Sequence, residues 1–336
     1  MRHALERIVG GDSLDVAAAR AVMDLIMDGS ATDAQIGGLL AALRLRGETV
    51  DELTGMVMSM RDHATPVLLE PGAVDTCGTG GDASNTFNIS TAAALVAAAA
   101  GCRVAKHGNR AASSRCGSAD VLEQLGVRVA LDAAGVRRCV DEVGMGFIFA
   151  PSFHPAMRHA AAARGQLGFR TVFNVLGPLA SPARVRHQAL GVAGTVSVAV
   201  MAAVLQQLGH RHALVFTGPG GMDELGLDSV TCGYEVTESG VGEIEIDPQA
   251  LGLRAAPRQA LAGGDPVLNA AALLAVLDGT AGPPRDVVLL NAAAAMVAAD
   301  VAAGMAEGIE RARAAIDSGA ARRTLSGLVA VSQAAA

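Results

Sequence analysis

The sequence predicts an α/β protein in which a small amino-terminal helical domain precedes a large domain whose mainly parallel central sheet is flanked by helices. Three observations lead there. Residues 1–64 carry helix start and stop signals with no strand pattern among them. From about residue 73 onward, short apolar runs alternate with helical segments, the mark of a parallel sheet. Between these strand candidates, residues 75–123 string glycines, hydroxyls and cations together where such sheets carry their ligand sites. With 336 residues the chain can bury a large core, and Pro66 and Pro71 punctuate it. Domains are therefore expected at 1–66 and 67–336.

In the first domain, helices are expected at 4–9, at 13–27 with Gly29 as its stop, at 32–46 with Thr32 as cap and Gly47 after it, and from Thr49 or Val50 to about His63. Leu39, Leu40, Leu43 and Leu45 suit a core or a dimer contact, and core is the simpler assignment. In the second domain, strands are expected at 73–76, 102–105, 146–149, 187–193, 213–217 and 234–237. Helices are expected at 91–100, 119–125, 133–142, 155–163, 196–207, 267–278 and 290–316.

The first strand runs into Gly78, Gly80 and Gly81, which let backbone amides converge on an anion. Asn88, Ser90 and Thr91 stand before the next helix, whose first-turn amides lack intrahelical partners and form a second candidate anion site. The strand after it ends in Lys106, His107, Gly108, Asn109 and Arg110. Ser113, Ser114 and Ser118 then precede a helix with an Asp120 to Glu123 capping pattern. Two amide-rich sites and a basic strand end imply a ligand with more than one phosphate. Gly78, Gly80 and Ala83 satisfy a dinucleotide-binding spacing, but Ser84 to Asn88 delay the helix and the following strand ends in Lys106 and His107 rather than an acid. No Gly-Lys-Ser/Thr closes a P-loop.

Further along, Pro155 opens a helix on which His154, Met157, Ala161 and Arg164 share one face. An imidazole, a thioether and a guanidinium in a stripe suit a small aromatic carboxylate. Spacing alone slightly favours the plainer reading, an amphipathic helix with a snorkelling arginine. After the strand at 213–217, the Gly218 to Gly221 loop leads to Asp223 and Glu224, adjacent carboxylates of the kind that hold Mg2+. Solvated turn acids are as common; the phosphate cradle tips the reading toward the metal.

A net charge of -7 and 2% aromatic residues argue against a nucleic-acid surface. Phosphate must be held by local amides and a few cations. The five cysteines form no C-x-x-C pair and read as reduced, buried thiols. The amino terminus lacks a secretory pattern, and the apolar stretches near 192–205 and 287–299 are interrupted by Gly194 and Asn291, so no membrane span and a cytoplasmic setting are expected.

Taken together, GTGGD at 78–82, NIST at 88–91, KHGNRAASS at 106–114, GSADVLE at 117–123, FHPAMRHAAAAR ending at Arg164, RTVFNVLGPL at 170–179 and the Asp223, Glu224 pair closely resemble the anthranilate phosphoribosyltransferase family across essentially the whole chain. The resemblance implies a transferase that moves the phosphoribosyl group of 5-phosphoribosyl 1-diphosphate to the amine of anthranilate in tryptophan biosynthesis, with Mg2+. It implies a homodimer through the helical domain, joined in space by helices from about 155–185, with substrates in the interdomain cleft. By that likeness the donor lies against Gly78, Gly81, Asp82, Thr86, Asn88, Ile89, Ser90, Thr91, Lys106, His107, Gly108, Asn109, Arg110, Ala111, Ala112, Ser113, Ser114 and Ser118. Mg2+ is held through Ser90, Asp223 and Glu224. Anthranilate meets Gly78, Asn109 and Arg164, with His107 and His154 beside it. No covalent intermediate and no essential general base are expected.

Ser181 stands before Pro182 where the family often has Asn, and Met157 replaces a tyrosine of some relatives, which touches acceptor packing. A pyrimidine nucleoside phosphorylase shares the GSADVLE-like motif but adds a carboxyl-terminal domain, for which this chain, ending in Ser332, Gln333 and three alanines, has no room. A silent nucleic-acid binder is disfavoured by the acidic balance, and a substituted aminobenzoate acceptor stays open.

Overall fold

The computed structural model describes residues 1–111, 115–194 and 196–335. Four helices come first: α1 Arg2–Val9, α2 Val16–Met27, α3 Asp33–Arg46 and α4 Val50–Asp62. Strands and helices then alternate as β1 Ala73–Gly78, α5 Ile89–Ala99, β2 Arg103–Gly108, α6 Ser118–Gln124, α7 Ala133–Val143, β3 Met145–Phe149, α8 Ala150–Phe153, α9 Arg158–Leu167, α10 Phe173–Leu179, β4 His187–Gly191, α11 Val198–Gln207 and β5 His212–Phe216. The hairpin β6 Thr231–Thr237 and β7 Gly240–Ile246 follows, and α12 Pro266–Leu277, α13 Pro283–Ala298, α14 Met305–Asp317 and α15 Ala320–Ala334 close the chain.

The sheet order is β3-β2-β1-β4-β5-β6-β7. The first five strands run parallel and the β6–β7 hairpin is antiparallel. Chain order reverses between β1 and β4, so the crevice outside their carboxyl ends is the topological switch point where open α/β sheets bind ligands. Register brings Gly78 opposite Gly191 at that edge.

Each face of the sheet carries its own core. On one face α5 and α13 pack against each other and are buried almost all round, and α13 lies on β1, β4 and β5. Alanine at many of these positions lets the axes approach: a Cβ added at Gly308 of α14 would lie 2.8 Å from Ala293 of α13. On the other face, α11 meets α4, and the amino-terminal helices share one apolar cluster with Ala160, Phe173, Leu176, Leu190 and Val215. There α9 packs on α2 and α3, and α10 on α4.

The expected 290–316 helix is two helices. Asp300 at φ +57° follows the end of α13, and Gly304 caps α14, so the chain turns back on itself. β7 and α15 carry no expectation in the sequence, while α10 falls within the 155–185 helices that the resemblance implies. The helix expected at 155–163 is preceded by α8 and a 3-10 turn at Pro155–Met157.

Helix α4 is set by a reciprocal cap. Thr49 accepts from the Glu52 amide, and the fully buried Glu52 accepts from the Thr49 amide at 2.9 Å and the Leu14 amide at 3.0 Å while pairing with Arg46. Burial opposes ionisation of Glu52, but Arg46 and the two amides outweigh it and hold the carboxyl below its ordinary 4.5. Its stabilisation is therefore complete above pH 4.5 and is lost as pH falls through the lower folded value. We expect Glu52→Gln to cost about 2–3 kcal/mol at pH 7 by denaturant unfolding. The difference from the parent should shrink below pH 4.5.

Candidate active site

The loop after β1 turns on left-handed residues: Gly80 at φ +68°, Gly81 at +72°, Ala83 at +56° and Asn85 at +53°. Gly81 is further constrained because a Cβ there would lie 1.3 Å from Nη1 of Arg170, whose Nη2 donates to Thr79 O at 3.4 Å. Asp82 accepts from the Ser84 amide at 3.0 Å and from the Asp223 amide at 3.3 Å. Thr86 bridges to Ala262, and Gly263 N donates to Asn85 O at 2.8 Å, so the segment before α12 straps the loop down.

The next turn differs from expectation. Helix α5 begins at Ile89, so Ser90 and Thr91 are inside its first turn, and Asn88 makes no cap hydrogen bond. Instead Asn88 Nδ2 donates to Cys116 O at 3.2 Å and its Oδ1 accepts from Asn269 at 2.9 Å. The Ser90 amide donates to Glu224 Oε1 at 3.0 Å, and the Gly80 amide to Asp223 Oδ2 at 2.6 Å. The two places expected to receive anions therefore each hold one carboxylate of the acidic pair. Thr91 Oγ1 is buried without a hydrogen-bond partner among the described residues.

The acidic pair reaches the cradle because three strand ends lack side chains. A Cβ at Gly78 would lie 2.2 Å from Asp223 Oδ2, at Gly191 1.8 Å from Asp223 O, and at Gly218 1.9 Å from Glu224 O. Lys106, 2% exposed, faces the same point, donating to Thr76 O and to Ser90 Oγ at 3.3 Å. Burial raises the Asp223 and Glu224 carboxyls above their ordinary range, with Asp82 adding to the first and Asp223 to the second. Among the described residues no three His, Cys, Asp or Glu side chains come together to hold a metal. Two carboxylates and the Ser90 hydroxyl supply only part of an oxygen shell, which fits Mg2+, an ion that keeps waters and phosphate oxygens for the rest.

Beyond β2 the chain serves two places. His107 and Asn109 line a cavity of about 430 Å³ with His154, Met157, Ala161 and Arg164. The expected stripe thus falls on one wall, with Ala161 and Arg164 on α9 and His154 and Met157 in the turn before it. Arg164 lies 5.0 Å from the centre of the Phe173 ring and makes no hydrogen bond or ion pair among the described residues; burial lowers its pKa. The His107 and His154 rings are 5.3 Å apart, neither Nε2 has a partner among the described residues, and burial pushes their pKa values down to about 3 and about 4. Both are neutral at pH 7. Gly78, expected at both ligands, faces Asp223 and does not line this cavity.

The remaining expected positions are structural in their visible contacts. Gly108 leaves room for Ser118, since a Cβ there would lie 2.4 Å from Ser118 Oγ, which itself donates to Asn109 O at 3.2 Å. Arg110 pairs with Glu123 at 2.5 Å and Asp120 at 3.1 Å and lies over Phe149, so its charge is engaged within the protein. Asp120 does not cap from outside: it sits inside α6 and accepts from Gly117 at 2.9 Å and Ala111 at 3.0 Å. Ala112, Ser113 and Ser114 lie outside the described residues. Sequence reading missed Arg170, Asn269 and the buried Asp75, which accepts from the His107 amide at 3.0 Å. Arg170 carried a visible signal as the first residue of the RTVFNVLGPL motif, and Asp75 as the acid that opens the 75–123 stretch. Asn269 sits on a helix far along the chain and carried none.

Residues 2–64 match the helical bundle domain, and 70–322 the a/b domain, of a glycosyl transferase family. The chain is 55% identical to the anthranilate phosphoribosyltransferase of Thermomicrobium roseum, over 99% of this chain and 97% of that one. Its structure matches that of the Thermus thermophilus enzyme of the same name with a TM-score of 0.93 at 43% identity, over 98% and 99% of the two chains. It also matches the Saccharomyces cerevisiae enzyme in complex with PRPP and Mg, at a TM-score of 0.89 and 26% identity over 99% and 98%. Sequence, domain composition and fold agree, and the chain belongs to the anthranilate phosphoribosyltransferase family of glycosyltransferase enzymes.

Proposed function

We propose that the chain transfers the phosphoribosyl group of 5-phosphoribosyl 1-diphosphate to the amine of anthranilate, giving N-(5-phosphoribosyl)anthranilate and diphosphate in tryptophan biosynthesis. The observation that carries this reading is the division at the end of β2: Lys106 faces the glycine loop and the acidic pair, while His107 and Asn109 open onto the cavity that holds Arg164. A polyanion receptor and an aromatic-carboxylate receptor meet there.

In this reading the donor lies along the Gly78 to Asp82 loop, Thr86, the first turn of α5 and residues 106–118, with Lys106 and the freed amides of Gly80 and Ser90 taking up negative charge. Ser90, Asp223 and Glu224 would hold Mg2+, which when bound would supply positive charge against a diphosphate leaving group. As the C1–oxygen bond breaks, the ribose carbon gains positive charge, and two neutral imidazoles nearby add no repulsion. Arg164 grips the acceptor carboxylate and Asn109 orients the amine, so that nitrogen is aligned on C1. After the N–C1 bond forms, the amine proton passes to water, with no side chain assigned as an essential base.

The helical domain, with α9 and α10 against it, forms the other wall of the cleft and carries the homodimer contact. The exposed Val9 and Leu45 support that assignment. Among the described residues the cysteines form no disulfide, which supports a reducing, cytoplasmic setting. Among the described residues no helix is long and apolar enough to cross a membrane.

Anthranilate fluorescence tests the reaction directly, because the chain has no Trp and one Tyr. Loss of signal should require protein, 5-phosphoribosyl 1-diphosphate and Mg2+ together; donor binding without loss would point to another acceptor. Arg164→Ala should raise the anthranilate KM by about 10- to 100-fold, the worth of a charge-assisted hydrogen bond. The donor KM should barely move, and equal effects on both would remove Arg164 from the carboxylate.

A further inference from the structure

The loop that carries the acidic pair is gripped from behind by a residue outside every anion-binding motif. Asn291 lies in the middle of α13, 5% exposed, between apolar residues. Its Oδ1 accepts from Leu225 N at 3.0 Å, and its Nδ2 donates to Leu225 O at 3.0 Å and to Val287 O at 2.9 Å, one turn earlier in its own helix. The amide thus pairs with both polar groups of one residue's main chain, as a neighbouring strand would, and both its donors are used. Leu225 directly follows Glu224 and is fully buried.

The front of the same loop is held differently. There the contacts are made by the carboxylates themselves, Asp223 to the Gly80 amide and Glu224 to the Ser90 amide. A carboxylate that turns toward a cation can give up its amide, so these bonds are free to change when the pair is put to use. The grip on Leu225 involves its main chain only and persists. Helix α13 is itself fixed against β1, β4 and β5, whose carboxyl ends frame the site.

We propose that Asn291 is a positioning residue that, through the Leu225 main chain, fixes where Asp223 and Glu224 meet the Mg2+-diphosphate part of the donor. This rests on the assignment of that pair to the metal. The structural alternative is that Asn291 only satisfies a buried peptide, in which case its loss lowers stability without singling out one ligand.

Calorimetric titration of inorganic diphosphate in the presence of Mg2+ separates these, using Asn291→Leu, the near-isosteric Asn291→Asp, and the double variant Asp223→Asn with Glu224→Gln. Thermal melting and the anthranilate KM are measured alongside. Asn291→Leu should weaken diphosphate binding about tenfold, the scale of losing a group that orients metal ligands. Asn291→Asp, which keeps an acceptor for the Leu225 amide, should fall between it and the parent, and it carries the test alone if Asn291→Leu does not fold. The anthranilate KM should stay near the parent value in both. Parent-like diphosphate binding in the Asn291 variants, with weakening in the acidic double variant, overturns the positioning role alone. Equal losses for diphosphate and anthranilate overturn it in favour of general core damage. Parent-like binding in the acidic double variant overturns the metal assignment, and this proposal with it.

Discussion

The site depends on a steric constraint: main chain must lie on main chain where the loop bearing Asp223 and Glu224 crosses the ends of β1, β4 and β5. Gly78, Gly191 and Gly218 each face an atom of that pair at a separation no Cβ permits. The parallel register aligns Gly78 with Gly191, so the bare positions form one continuous seat at the switch point of the sheet. Only with the loop seated there does Asp223 reach the Gly80 amide and Glu224 the first turn of α5. The phosphate cradle and the acidic pair, far apart in sequence, become one surface.

Charge then follows from burial. The chain as a whole is acidic, so attraction for a polyanion cannot come from a general field. On the proposed reading it comes from Lys106, buried between Thr76 and Ser90 and within reach of Asp75 and Glu224. Burial pushes the Asp75 carboxyl up to about 6, with Lys106 and the His107 amide opposing the rise. The same low-dielectric setting keeps His107 and His154 neutral on the side of the cavity that holds Arg164. Cationic Lys106 and neutral His107 thus sit side by side on a single strand end, which on the proposed reading separates the place for a diphosphate from the place for an aromatic ring.

Much of this was legible in sequence because it is local. Alternating apolar runs gave five parallel strands and most helices, and capping residues such as Thr32 and Thr49 gave the amino-terminal domain; the spacing of His154, Met157, Ala161 and Arg164 gave a shared face but leaned toward a plain amphipathic helix rather than the cavity wall it forms. What was not legible depends on partners distant in the chain. A glycine-rich turn does not announce that Asp223 will occupy its amide, nor NIST that Glu224 will meet Ser90. Asn291 read as an interruption of an apolar stretch, because nothing nearby in sequence reveals that Leu225 needs both its peptide groups satisfied. The 290–316 segment read as one helix because a left-handed Asp300 is not a strong stop signal.

The most direct test of this constraint is Gly191→Ala, which adds one methyl group against Asp223 O and touches no expected ligand. Transfer is followed in a single turnover by anthranilate fluorescence with saturating donor and Mg2+, and folding by circular dichroism. The expected result is a folded protein whose transfer rate falls about 100-fold, the scale reached when reacting groups are displaced by about 1 Å. A folded variant with the parent rate would contradict it, because the acidic loop would then not need the bare strand end on which the site is built.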